Sequence, residues 1–157
     1  MNAIYDSISY TDIFEQDIIE AESEIVISSP RIIMHKVERL IFLAKPRQEA
    51  GVKITVITEN PDNSLLGNAA FAYSLIDQMK SAGINVVSTD NEVECFAVFD
   101  RSLVWHGGMN LLGKEDAWDN LIRVKDLKAA SELLVLSFGK FDENKNDLAK
   151  KVTRNLL

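Results

Sequence analysis

The stretch Val93-Glu94-Cys95-Phe96-Ala97-Val98-Phe99-Asp100-Arg101-Ser102-Leu103-Val104-Trp105-His106-Gly107-Gly108-Met109-Asn110 decides how the rest of this chain is read. Apolar residues lie on both sides of Asp100-Arg101-Ser102, so it reads as two short strands, the first ending on Asp100 and the second on His106. Gly107-Gly108-Met109-Asn110 follows as a turn. Glycines let backbone N–H groups approach an anion closely, and an Asn amide donates to one. Asp100, Gly107, Gly108 and Asn110 are therefore the candidate phosphate-binding residues. A purely structural reading stands beside this one. Asp is favoured in turns for its own backbone hydrogen bonds, and the glycines would then only supply positive φ at a bend.

Upstream of this stretch, helices and strands alternate. Phe14, Ile18 and Ala21 recur at helical spacing between Ser9 and Glu22, and Ser9 with Asp12 has capping-box spacing. Glu24–Ser28 is a short β-branched strand closed by Ser28-Ser29-Pro30. A second helix is expected from Ile32 to Ala44, broken near Lys45 by Pro46, with a further turn through Ala50. Gly51 suits a left-handed C-terminal position. Lys53–Thr58 is a strand, Glu59–Gly67 a polar loop, and Asn68–Ala82 a helix burying Phe71, Leu75, Ile76 and Met79 before Gly83. Ile84–Ser88 is a further strand.

Downstream, Leu111–Trp118 reads as a loop and Asn120–Val124 as a strand. Asp126 can cap a helix from Leu127 to Phe138, with Leu127, Ala130, Leu134 and Phe138 on one face. The polar tail 140–157 holds Leu148 and Val152 at i, i+4, an amphipathic helix pattern, and gathers Lys140, Lys145, Lys150, Lys151 and Arg154. A solvated face is the default reading of that basic cluster. The whole order implies an α/β fold, a mixed, largely parallel sheet with helices on both faces, in one domain over 1–157.

Composition narrows the function classes. The 157 residues carry 24 acidic and 17 basic side chains, a net charge of −7. That disfavours broad electrostatic attraction to DNA or to anionic membranes, while leaving room for a local basic stripe. No apolar run approaches a membrane span and no signal-peptide pattern opens the chain, so the cytoplasm is the expected location and no membrane partner is expected. Cys95 is the only cysteine and His35 and His106 the only histidines, too few for a zinc site of Cys and His. No metal or other cofactor is expected. Cys95 sits mid-strand, where an inert thiol is the usual reading.

The spacing from Asp100 to Asn110 resembles that of the phospholipase D superfamily, whose motif runs HxKxxxxDxxxxxxG(G/S)xN. Asp100 matches the Asp; six residues follow it, then Gly107, Gly108, one variable residue and Asn110. The Glu-Ile-Val-Ile-Ser-Ser-Pro and Gly-Val-Lys-Ile-Thr-Val-Ile-Thr segments look like that family's strands, so the resemblance covers about Phe14 to Phe138 and implies an α/β/α sandwich. The motif's His falls on Val93 and its Lys on Cys95. In the family the His forms a covalent phosphoenzyme and the Lys neutralises phosphate oxygens, with two motif copies making one site without metal. The resemblance therefore implies that this chemistry is absent here, that no catalytic residue is expected, and that a homodimer is.

His106 is the one remaining candidate for an acid, a base or a displaced nucleophile, against a structural role beside a glycine turn. Trp105 and Trp118 flank the turn and read as packing residues before base-stacking ones. The segment Trp105 to Phe138 also looks like the phospholipase-D-like domain attached to bacterial DNA helicases and related ATPases. The chain has no GxxxxGK phosphate loop, so a helicase or ATPase motor would lie elsewhere in the polypeptide or in a partner. The expectation is a non-catalytic accessory module that dimerises, docks or weakly binds nucleic acid. The alternative is a metal-independent phosphodiesterase acting through His106.

Overall fold

Short β-branched runs and helical periodicities resolve into seven strands and four helices among the described residues. The computed structural model describes residues 3–63, 69–115 and 119–139. In chain order the elements are β1 (Ile4–Asp6), α1 (Tyr10–Glu20), β2 (Glu24–Ser28), α2 (Met34–Glu49), β3 (Lys53–Glu59), α3 (Ala69–Ser81), β4 (Asn85–Thr89), β5 (Phe96–Phe99), β6 (Leu103–Gly107), β7 (Asn120–Lys125) and α4 (Leu127–Gly139), with a 3₁₀ turn at Pro61–Asn63. The expected helix and basic cluster of the tail, and Trp118, lie outside the described residues.

The strands form one sheet in the order β1-β7-β6-β5-β2-β3-β4. Only β2–β3 and β3–β4 are parallel; β1–β7, β7–β6, β6–β5 and β5–β2 are antiparallel. The expected α/β sandwich is there, but the sheet is mostly antiparallel rather than largely parallel. The reason lies in the connections. Helices α2 and α3 carry the crossovers that parallel neighbours need, whereas β5 and β6 are joined by a turn too short to be anything but a hairpin. The sequence pattern also missed β1, three residues long, which pairs Ile4 with Ile122 at the sheet edge.

The two faces bury different clusters. Ile25, Ile27, Ile54, Val56, Ala97, Phe99 and Trp105 meet α1, α2 and α3 through Phe14, Ile18, Val37, Leu40, Leu75 and Met79. Trp105 is 0% exposed, with Tyr5 and Phe14 ring centroids 5.2 and 5.5 Å away, so packing is its use. On the other face Val26, Val98 and Val104 meet α4 through Ala130, Leu134 and Phe138. Fully burying each such side chain is worth roughly 1.5–3 kcal/mol. Asp17 on α1 is 5% exposed. One of its carboxylate oxygens accepts from Trp105 Nε1 at 2.7 Å and from Arg123 Nε at 2.8 Å; the other accepts from Arg123 Nη2 at 2.7 Å. This ties α1 to β6 and β7.

Several local expectations change. Helix α2 runs through Pro46 instead of breaking before it. Pro46 sits in the last turns on an exposed side, so water can serve the carbonyl that loses its N–H partner. Ser9 makes no capping hydrogen bond to α1; its hydroxyl donates to Asp6 Oδ1 at 2.9 Å. Phe71 and Leu127 are exposed rather than buried, at 51% and 69%. Both stand in the first turn of their helices. Gly51 and Gly83 do take positive φ, 94° and 86°, after α2 and α3.

Candidate functional site

The β5–β6 hairpin separates residues that look adjacent in the motif. Asp100 stands at the turn; Gly107 stands at the opposite end, about 15 Å away along five residues of strand. Asp100 and Arg101 adopt left-handed φ values of 53° and 55°. The Asp100 carboxylate accepts backbone N–H bonds from Glu22, Ser23 and Glu24 at 2.8–3.2 Å and the Ser23 hydroxyl at 3.0 Å. Burial alone would push this carboxyl up, yet the amides of Ser23, Glu24 and Glu22 and the Ser23 hydroxyl outweigh it and hold it below the usual carboxylate range. Arg101 beside it pairs bidentately with Glu24 at 3.0 and 3.3 Å. Asp100 thus closes the hairpin onto the start of β2 and does not join the other three candidates.

Gly107, Gly108 and Asn110 are together at the far end, beside the motif's other positions. The Gly107 amide donates to the Cys95 carbonyl at 3.4 Å. Neither Gly107 nor Gly108 has positive φ, so bending is not what selects them. A Cβ on Gly107 would stand 2.1 Å from the Asn120 carbonyl oxygen, so glycine there permits β7 to pair closely. At Gly108 the nearest atom is Asp119 Oδ1, 3.1 Å away, on a side chain that can turn aside. Asn110 Oδ1 accepts from the Arg31 amide at 3.0 Å, and its NH₂ group has no partner among the described residues.

The positions of the motif's His and Lys hold Val93 and Cys95. Val93 is buried in the cluster beneath α4, and Cys95 is half-buried. Burial pushes the Cys95 thiol up, and the carboxylates of Asp119, Glu59 and Glu94 push it further. His106 is exposed near the end of β6, opposite Phe96 and Ile122, and its imidazole makes no hydrogen bond among the described residues. The side nearest Cys95 is therefore carboxylate-rich, where a bound phosphate would need positive charge.

The turn is anchored from the other side. Ser29 Oγ donates to the Arg31 carbonyl at 2.7 Å and accepts from Leu112 N at 3.1 Å; the Ile33 amide donates to the Leu112 carbonyl at 2.8 Å. Lys36 on α2 donates to Tyr10 Oη and Glu115, and Tyr10 Oη donates to Glu115 at 3.0 Å. Helix α2 begins here with Ile33 as an N-cap that makes no side-chain bond and with no acidic residue in its first turn. Arg31, His35 and Lys114 are exposed around it. His35, which stood without context in the sequence, belongs to this basic flank.

Sequence reasoning missed Ser28, Ser29, Asp17 and Arg123 as polar groups that hold the site end in place. Ser28 and Ser29 were visible only as a strand terminator; Ser28 Oγ donates to the Glu94 carbonyl at 2.5 Å. Of the carboxylates that act on Cys95, Glu94 is its neighbour in the chain, while Glu59 and Asp119 come from distant positions that no local spacing signals. Among the described residues no three His, Cys, Asp or Glu side chains are grouped as a metal set, and no helix is long and apolar enough to cross a membrane.

No family model and no curated relative matches the sequence. Solved structures do match the fold. Nuc, a phospholipase D family member from Salmonella typhimurium, superposes with a TM-score of 0.62 at 14% identity over 84% of this chain and 86% of that one. TrmBL2, an archaeal chromatin protein whose structure shows a novel mode of DNA binding, superposes at 0.56 and 17% identity over 83% of this chain and 48% of that one. Polyphosphate kinase from Porphyromonas gingivalis superposes at 0.59 and 13% identity over 90% of this chain and 27% of that one. The chain has a phospholipase-D-like fold.

Proposed function

We propose that this chain is a non-catalytic phospholipase-D-like accessory module of a DNA-processing helicase or ATPase, acting by dimerisation, docking or weak contact with nucleic-acid phosphates. The observation that carries this reading is the chemistry of the motif end. The nucleophile position holds a buried Val93, and the Lys position holds Cys95, whose thiol is pushed up by burial and by the negative charge of Asp119, Glu59 and Glu94. A phosphodiester entering there meets like charge and no nucleophile.

The phosphate-contact part of the reading has its own support on the other flank. The first turn of α2 holds no acidic residue and no side-chain cap, and Arg31, His35, Lys114 and the NH₂ of Asn110 lie at this end, together with Glu115, which is paired with Lys36. TrmBL2, which shares the fold, is itself a DNA-binding chromatin protein. With a net charge of −7, such binding would be weak and salt-sensitive.

Incubating the purified chain with labelled single-stranded and duplex DNA, with and without chelator, tests the reading. No cleavage is expected in either case. Cleavage that disappears in His106→Ala would instead establish the alternative, a phosphodiesterase with a displaced nucleophile.

A further inference from the structure

The end of the sheet away from Gly107 and Asn110 holds a second concavity. There the first residues of β2, β3 and β4 and the closing turns of α2 and α3 border a cavity of about 730 Å³. That volume lies in the range of small-molecule sites. Val26, Val52 and Phe138, all buried, close its floor. Lys45 from α2, Lys53 from β3 and Arg101 from the β5–β6 turn stand on its wall. Three cations at one cavity run against the character of a chain whose net charge is −7.

The chain's own groups do not engage all of this positive charge. Lys45 and Lys53 are exposed, and their ammonium groups make no ion pair or hydrogen bond among the described residues. Lysines close to a helix end often serve its last carbonyls. Here backbone amides already do so. Ala50, Gly51 and Val52 donate to the carbonyls of Pro46, Gln48 and Arg47, and Gly83 and Ile84 to those of Lys80 and Met79. Arg101 gives Nε and Nη2 to Glu24, which leaves Nη1 without a partner among the described residues. Its φ of 55° belongs to a conformation that Asn and Gly usually fill, so an arginine is held here against local preference. With Glu24 matched to Arg101, the open wall carries the two lysines against the exposed Glu49.

We infer that this cavity binds a small organic anion. Its charged group is met by Lys45, Lys53 and Arg101 Nη1 on the wall, and its apolar part lies toward Val26, Val52 and Phe138 on the floor. The volume selects an organic ligand over a bare phosphate or sulfate ion, which would leave most of the cavity to water. The site is at the opposite end of the sheet from the motif's glycines, so it stands apart from the proposed function.

The probe for the test is anilinonaphthalenesulfonate, an aromatic sulfonate whose emission rises when it leaves water, titrated against the full chain. Saturable binding is expected, and Lys45→Glu and Lys53→Glu should each weaken it by roughly tenfold. Both lysines are exposed, so thermal unfolding should be unchanged. Lys128→Glu makes the same charge change in the first turn of α4, at the other end of that helix from Phe138, and should leave binding as it was. Amide chemical shifts should move at Gly51, Val52 and Gly83 and stay fixed at Gly107 and Gly108. The uncharged phenylnaphthylamine should bind about tenfold more weakly than the sulfonate, and inorganic phosphate should not displace it. Absent or unsaturable binding, shifts centred on Gly107, or binding indifferent to both lysine reversals overturns the inference. Equal binding of the uncharged probe overturns its anionic half, and displacement by inorganic phosphate its organic half. The DNA-cleavage assay reads the motif end, so the two claims fail separately.

Discussion

At the scale of single residues, the motif's Asp and its glycines prove to hold the backbone together. Asp100 gathers three amides and a hydroxyl at the hairpin turn, so Asp100→Asn should destabilise the chain by about 1–2 kcal/mol at neutral pH, the low range because the site is partly open to water. The pH dependence has a definite sign. The folded carboxyl is depressed, so its stabilisation is present above the unfolded value near 3.9 and is lost as pH falls through the lower folded value. Denaturant titrations at pH 7 and below about pH 4 should therefore show the wild type converging on Asp100→Asn in acid. The two glycines should part company. Gly107→Ala forces a Cβ to 2.1 Å from the Asn120 carbonyl and should cost about 3 kcal/mol or more, because backbone must move. Gly108→Ala meets a rotatable Asp119 side chain and should cost well under about 1 kcal/mol. Thermal melts of the pair decide it; equal losses would contradict the close-approach explanation.

At the scale of elements, α1 is held to the β6–β7 pair by Asp17, a carboxylate buried with Arg123 and Trp105. Asp17→Asn leaves Arg123 without its counter-charge and should cost about 3–5 kcal/mol in chemical denaturation, the range for breaking one side of a buried pair. This linkage was not legible in the sequence, because 106 residues separate its partners. The elements themselves were more legible. β2, β3, β6 and α4 follow directly from β-branched runs and helical spacing, and Gly51 and Gly83 mark the ends of α2 and α3 as expected. The misses have physical causes. A three-residue edge strand such as β1 carries no periodicity, and its partner β7 is over 110 residues away. Pro46 lies where an exposed last turn tolerates it. The sheet reads as parallel from its first half because helices connect β2, β3 and β4, while the return of β5 to the far side of β2 leaves no local mark.

At the scale of the whole molecule, the fold is kept while one end of it has a different chemical character. The spacing from Asp100 to Asn110 led to the phospholipase-D-like fold, and the superposition on Nuc bears that out. Reading that stretch as two strands already set Asp100 at the turn and Gly107 past the second strand, as the hairpin has them, but gave no hint that Glu59 and Asp119 act on Cys95. Charge separates the two modes of action open to this molecule. Contact with nucleic-acid phosphates at Arg31, His35 and Lys114 should weaken as salt rises, whereas pairing of two chains of net charge −7 through apolar surface should strengthen. Parallel salt titrations of DNA binding and of self-association read both.

Restoring the motif should not restore a reaction. In Val93→His with Cys95→Lys, the new imidazole would occupy a position packed beneath α4 in the apolar cluster. The central claim concerns the protein as it stands, and the most direct test is a search for a covalent intermediate. The intact mass of the full chain would be measured after incubation with an activated phosphodiester and rapid acid quench. A non-catalytic module keeps an unmodified mass at every time point. A phosphorus-containing adduct that maps to His106 or Cys95 would contradict the claim.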